Sequence, residues 1–199
     1  MPHAIFVETG IDDGAAAAAY AAELPGCAVF AADPDTAAAG MPRRVAEFSD
    51  WLRGRREEAP QFVGDNWYEV ERAAAQPSAR ATFSLDELPP SDEEFARYLR
   101  WLELAREELA DAADAADAAA DAAARMGTIE RQDRTFAAEL GQELQPPKGE
   151  PIDRFYQARD ALTAAIERAG PGAEGVRRIL RVAIADDLRL ADRLRGGLP

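Results

Sequence analysis

The chain has 199 residues, of which 47% are hydrophobic and 30% charged, a globular balance with room for one large or two small domains. Its net charge is −14, from 37 acids against 23 bases, and a surface this acidic repels phosphate, which argues against nucleic acid and anionic membranes as partners. The absence of a run of about 18 apolar residues, the lack of a signal-like start and the single cysteine set the expectation of a soluble protein of the reducing cytoplasm.

Residues 4–8 (AIFVE) read as a short strand, and Asp12-Asp13-Gly14 as a turn. Residues 15–22 are alanine-rich, which on propensity favours helix. The Asp-Gly before them and Leu24-Pro25-Gly26 after them argue instead for a strand in a meander. Pro25 fixes φ and Gly26 allows a positive φ, a type II turn signature. Cys27 opens a third strand, 27–32. No basic cluster or helix start lies near it to lower its pKa, so it reads as a small buried hydrophobe rather than a nucleophile. Asp33 and Pro34 are an N-cap and a first-turn proline. The helix they open is expected to break or kink at Gly40 and Pro42. It resumes with Val45, Phe48, Trp51 and Leu52 on one face and ends at Arg53-Gly54-Arg55-Arg56. Residues 66–73 and 80–85 read as two strands turning at Gln76-Pro77-Ser78. The first half is then a small unit of four or five strands and one helix.

Pro89-Pro90 punctuates the chain, and Ser91 with Glu94 reads as a capping box. The helix that follows carries Phe95, Tyr98, Leu99, Leu102 and Leu109 on one stripe and runs into DAADAADAAADAAARM. There Asp111, Asp114, Asp117 and Asp121 recur on or near one face. A hard cation wants oxygens converging from several elements, whereas one helix face diverges, so these acids read as a solvated face. Further helices are expected at 127–144, 151–169 and 174–195, giving an up-and-down bundle of four antiparallel helices. Strands followed by helices make the chain α+β, with domains 1–88 and 89–199.

The last helix interleaves Arg177, Arg178, Arg181, Arg189, Arg193 and Arg195 with Asp186, Asp187 and Asp192, which reads as a salt-bridged, solvated face. Asp133, Asp186 and Asp187 come near each other if the second and fourth helices face inward. The competing reading pairs them with Arg131, Arg134 and Arg189 at the surface. Trp51, Trp67, Trp101, Tyr98 and Phe155-Tyr156 read as core, with a ligand pocket as the alternative. His3, near the terminus, reads as inert.

Asp13-Gly14, the block Tyr20-Ala21-Ala22-Glu23-Leu24-Pro25-Gly26-Cys27, the capped helix after Asp33 and its Trp51-Leu52 end resemble the HicB-like family, with Ala22 where the family's first proline would stand. The second half is similar to the DinB-like four-helix bundle, through Glu93-Glu94-Phe95-Ala96-Arg97-Tyr98-Leu99-Arg100-Trp101-Leu102, Val176-Arg177-Arg178-Ile179-Leu180-Arg181 and Ala191-Asp192-Arg193-Leu194-Arg195. HicB-like units fused to DinB-like bundles look like a recurring bacterial arrangement. The DinB-like resemblance implies a divalent metal held by three histidines, one on the second helix and two spaced i, i+4 on the fourth. Those positions fall here on Thr128, Asp186 and Leu190, and His3 is the only histidine. Leucine cannot ligate a metal and threonine is a poor ligand. The resemblance therefore implies a degenerate bundle with no metal cofactor, in which Thr128, Asp133, Asp186 and Leu190 mark the old metal positions or a pocket. The expectation is a cytoplasmic, non-catalytic module that binds a small molecule or a protein partner, as a homodimer. Two alternatives stand beside it: a DinB-type divalent-metal-dependent thiol transferase or hydrolase with atypical ligands, and a HicB-like antitoxin that binds a small basic ribonuclease toxin.

Overall fold

A computed structural model describes residues 3–12, 14–60, 66–75, 80–115 and 120–196. Asp13, the turn Gln76-Pro77-Ser78 and the side chains of Asp114, Asp117 and Asp121 lie outside the described residues; Asp111 is exposed. The chain is α+β, a four-stranded mixed sheet with one helix followed by four more helices. It divides into two compact units, Met1–Leu85 and Asp86–Pro199.

In the first unit β1 (His3–Ile11), β2 (Ala16–Ala21) and β3 (Ala28–Ala31) form an antiparallel meander. β4 (Trp67–Ala74) pairs parallel to β1, so the strand order is β3-β2-β1-β4. α1 (Pro34–Gly54) carries the chain from one sheet edge towards the other. Asp33 caps it by accepting from the Thr36 N–H at 2.8 Å.

Alternation along the strands assigns the two faces. Val7, Ala19 and Val29 are cross-strand partners on the face that meets α1. There the alanine run earns its strand conformation: Ala17, Ala19 and Ala21 are buried, and their small side chains let the helix lie close. Backbone pairing on both sides of β2 outweighs alanine's helical preference. The expected break at Gly40 and Pro42 does not occur, because α1 is continuous through both. Gly40 instead serves the close approach: a Cβ there would meet Val29 Cγ1 at 3.0 Å. Val45, Phe48 and Leu52 are buried and Trp51 is half-buried.

The opposite face presents Phe6, Glu8, Tyr20 and Phe30. Residues 80–85, expected as a further strand, do not form one. The Ser84 N–H donates to Glu71 Oε2 at 2.9 Å, and the start of the segment bonds to a fully buried carboxylate. Glu8 accepts from the Ala81 N–H at 2.7 Å, from Arg80 Nε at 3.0 Å on both oxygens and from the Tyr20 hydroxyl at 2.9 Å. Phe83 then stacks on Phe6 with ring centres 5.0 Å apart. A side-chain acceptor has taken the place of a neighbouring strand. His3, read as inert near the terminus, is the buried first residue of β1; its N–H donates to the Asn66 carbonyl at 2.8 Å and its ring lies 4.7 Å from that of Trp67.

In the second unit α2 (Asp92–Ala115), α3 (Ala120–Glu139), α4 (Pro151–Ala169) and α5 (Val176–Leu194) form the bundle. The capping box opens α2: the Ser91 N–H donates to Glu94 Oε2 at 2.9 Å, and the Glu94 N–H to Ser91 Oγ at 3.2 Å. Paired side chains give the helix directions. Arg177 meets Glu94 near the start of α2 and Arg195 meets Glu108 further along, so α5 runs parallel to α2. Arg154 meets Glu130 and Arg159 meets Asp133, so α4 runs parallel to α3. Gln132 meets Asp186 and Glu139 meets Arg178, so α3 and α5 are antiparallel. The order is up-down-down-up, where strict alternation was expected. The α3–α4 connection explains it. The 20-residue α3 is about 30 Å long at 1.5 Å per residue. Residues 140–150, extended, reach about 36 Å, enough to return along the whole helix.

The Leu24 carbonyl accepts from the Cys27 N–H at 2.9 Å, and Gly26 has φ 89, which places the tight turn where Pro25-Gly26 called for it. Cys27 is wholly buried, and burial pushes its thiol up to about 12 despite the nearby Arg44. In native protein Cys27 is expected to resist a thiol reagent that labels it stoichiometrically in denaturant, and Cys27→Ala to keep the fold. Rapid native labelling would contradict this placement.

Candidate functional site

α5 is buried on nearly every side from Val176 to Ala191, charged residues included. The arginines of its first half are not a solvated face. Arg177 donates to Glu94 at 3.0 Å and to the Leu88 carbonyl at 3.0 Å. Arg181 forks onto Asp86, at 3.2 Å from Nε and 2.6 Å from Nη2. Arg178 pairs with Glu139. Their acids come from other elements rather than from α5 itself, which is why a helix-face reading of the sequence misplaced them.

The centre of the bundle is Arg159 on α4, 1% exposed. Its Nη1 donates to Asp133 Oδ1 on α3 at 2.6 Å. Its Nε donates to Asp187 Oδ1 on α5 at 2.9 Å, with Nη2 2.7 Å from the same oxygen. Nη2 also reaches the Ala183 carbonyl at 3.3 Å. Around this trio, Gln132 donates to Asp186 Oδ2 at 2.9 Å, while Arg106 of α2 bonds the Arg159 carbonyl and Asp160.

Two carboxylates face one guanidinium, and Asp133 Oδ2 and Asp187 Oδ2 are buried without a hydrogen-bond partner. Burial pushes the Asp133 carboxyl up to about 7, against the pull of Arg159, and raises Asp187 as well. Asp133 and Asp187 more than offset the desolvation of Arg159, so the guanidinium keeps its charge. The site therefore keeps the Arg159 cation, with Arg106 close by, and Asp133 takes up a proton near neutrality.

The sequence-derived positions separate in the structure. Asp133 and Asp186 come together with Asp187 in the interior. Thr128 is exposed, its hydroxyl donating to the Ala124 carbonyl at 3.3 Å and accepting from Arg131. Leu190 lies in an apolar cluster with Leu109, Met126, Ile129 and Phe155. The surface pairing of Asp133 and Asp187 with Arg131, Arg134 and Arg189 gives way to the buried pairing with Arg159. Among the described residues no three His, Cys, Asp or Glu side chains are grouped to hold a metal ion. Tyr98, Trp101 and Phe155 are buried within the second unit, and Trp51 and Trp67 belong to the first.

The sequence does carry a signal for Arg159. Phe155, Ala158, Leu162, Ala165 and Ile166 form the buried stripe of α4, and Arg159 sits within it. A charge on an apolar stripe must find a partner inside. Neither a family model, nor a curated protein, nor a solved structure matches this chain.

Removing Arg159 leaves two buried carboxylates without their cation. Arg159→Met is expected to cost about 3–5 kcal/mol in denaturant unfolding at neutral pH, and less in acid, where the carboxylates protonate. Asp133 titrates near 7 when folded against 3.8 ordinarily. Its contribution is complete below about pH 4 and is lost as pH rises through about 7. Wild-type stability should therefore carry a component that falls across that window. Asp133→Asn should lack it, as unfolding midpoints measured at several pH values will reveal.

Proposed function

We propose that this chain is a non-catalytic binding module, a HicB-like unit joined to a DinB-like bundle in which a built-in cation stands where a metal would act. The observation that carries this is Arg159, its guanidinium bonded to both Asp133 and Asp187 in the interior. A catalytic metal needs neutral nitrogen or carboxylate ligands converging on an open coordination position. Here the two interior carboxylates already share an organic cation, which has no Lewis acidity and no lone pair to give. Asp133, near neutrality in pKa, has the proton affinity of an acid–base catalyst, but it is wholly buried and bonded to Arg159. That is a structural staple rather than a group awaiting substrate.

A net charge of −14 favours a basic protein as the bound partner over an anionic ligand, because complementary charge speeds encounter and rejects acidic competitors. This suits the antitoxin-like reading better than a metal-dependent thiol transferase or hydrolase. Elemental analysis of protein purified without chelator, followed by zinc and nickel titration, tests the proposal. Substoichiometric metal and an unchanged melting temperature are expected. Stoichiometric metal that is lost in Asp133→Asn would restore the metal-enzyme reading.

A further inference from the structure

Among the described residues no strand pairs with the outer edge of β4. A long free edge is a template for another chain unless it is blunted by proline, lysine or short length. β4 has eight residues, WYEVERAA, without proline or lysine, and it exposes Tyr68 (46%) and Val70 (49%). Two copies related by a closed two-fold axis can pair such edges only antiparallel. The register must then set outward-facing backbone groups against outward-facing ones, since only these can exchange hydrogen bonds.

β4 has an irregularity that fixes this register. Its pairing with β1 shifts at Val70: Ile5 faces Glu69 and Phe6 faces Glu71. Before the shift, Asn66 accepts from the His3 N–H, so Asn66 is turned to β1 and Trp67 and Glu69 are turned outward. After it, the Ala75 N–H donates to the Thr9 carbonyl, so Ala75 is turned to β1 and Arg72 and Ala74 are turned outward. An axis between Val70 and Glu71 sets Glu69 against Arg72 and Trp67 against Ala74, outward group against outward group each time. The same register sets opposite charges together. Within one chain Arg72 already donates to Glu69 from Nε at 2.8 Å and Nη2 at 2.7 Å, so both side chains lie on one face. The pairing would close a ring of two glutamates and two arginines of alternating sign.

We infer that the outer edge of β4 is a homodimer interface, in which two copies of this chain pair antiparallel about an axis between Val70 and Glu71 to form one continuous eight-stranded sheet. The inference is independent of what the bundle binds. An interface centred on one strand is smaller than the standard size, so association is expected in the micromolar range. Sedimentation of the full chain over a concentration series tests it. Wild type is expected to dimerise reversibly. Glu69→Arg and Arg72→Glu should each weaken self-association about tenfold or more. An equimolar mixture of the two should form a heterodimer, and the double variant E69R/R72E should recover the wild-type affinity. Circular dichroism serves as the control that each variant is folded. A wild-type chain that stays monomeric into the sub-millimolar range overturns the inference, as does a dimer indifferent to both reversals or an absence of rescue in folded variants.

Discussion

The bundle depends on one guanidinium. Arg159 brings α4 to Asp133 of α3 and to Asp187 of α5, and all three side chains are removed from water. Burying three charges is expensive, and a well-packed apolar trio would often be as stable or more so. The consequence of using charges is directional. Apolar stripes slide past one another at small cost, whereas a guanidinium bonded through Nε and both Nη groups accepts one geometry. α5 then meets each neighbour through a different pair: Glu94 of α2, Glu139 of α3 and Asp86 of the preceding turn. These contacts define the up-down-down-up order.

The first unit uses the same device in a more completed form. Glu8 is fully buried and accepts from Tyr20, Arg80 and Ala81. Both its oxygens are engaged, whereas Asp133 and Asp187 each keep one oxygen without a partner. The difference matters physically. A satisfied buried carboxylate anchors a segment, here 80–83 over the sheet. Burial of two half-satisfied carboxylates raises both against the pull of Arg159 and Arg106, and makes Asp133 a proton acceptor near neutrality. The near-neutral proton affinity of Asp133 therefore follows from how the bundle buries its charges.

Small residues do complementary work. Ala17, Ala19 and Ala21 in β2 and Gly40 in α1 reduce the distance between sheet and helix, so the alanine richness that suggests helix instead permits a flat, tightly covered strand. Val70 is the opposite case, a larger apolar side chain at a strand irregularity, left exposed where the parity of the edge changes.

Much was legible locally. The Asp33 and Ser91 caps, the Pro25-Gly26 turn, the strands around them and the later helices follow from signals within a few residues of each other, because turns, caps and periodicity are short-range physics. These determined an α+β chain with strands first and helices after. Only the tertiary structure decided the rest. Residues 80–85 have strand composition, but carboxylates of two other strands take their hydrogen bonds, Glu8 that of the Ala81 N–H and Glu71 that of the Ser84 N–H. Gly40 and Pro42 look like a break, but Val29 needs the space and the helix persists. The α5 arginines look solvated until their acids arrive from Asp86, Glu94 and Glu139. Arg159, on an apolar stripe, signals by itself that a buried partner exists. Which carboxylates answer it depends on helix direction and register, long-range properties that exist only once the chain has packed.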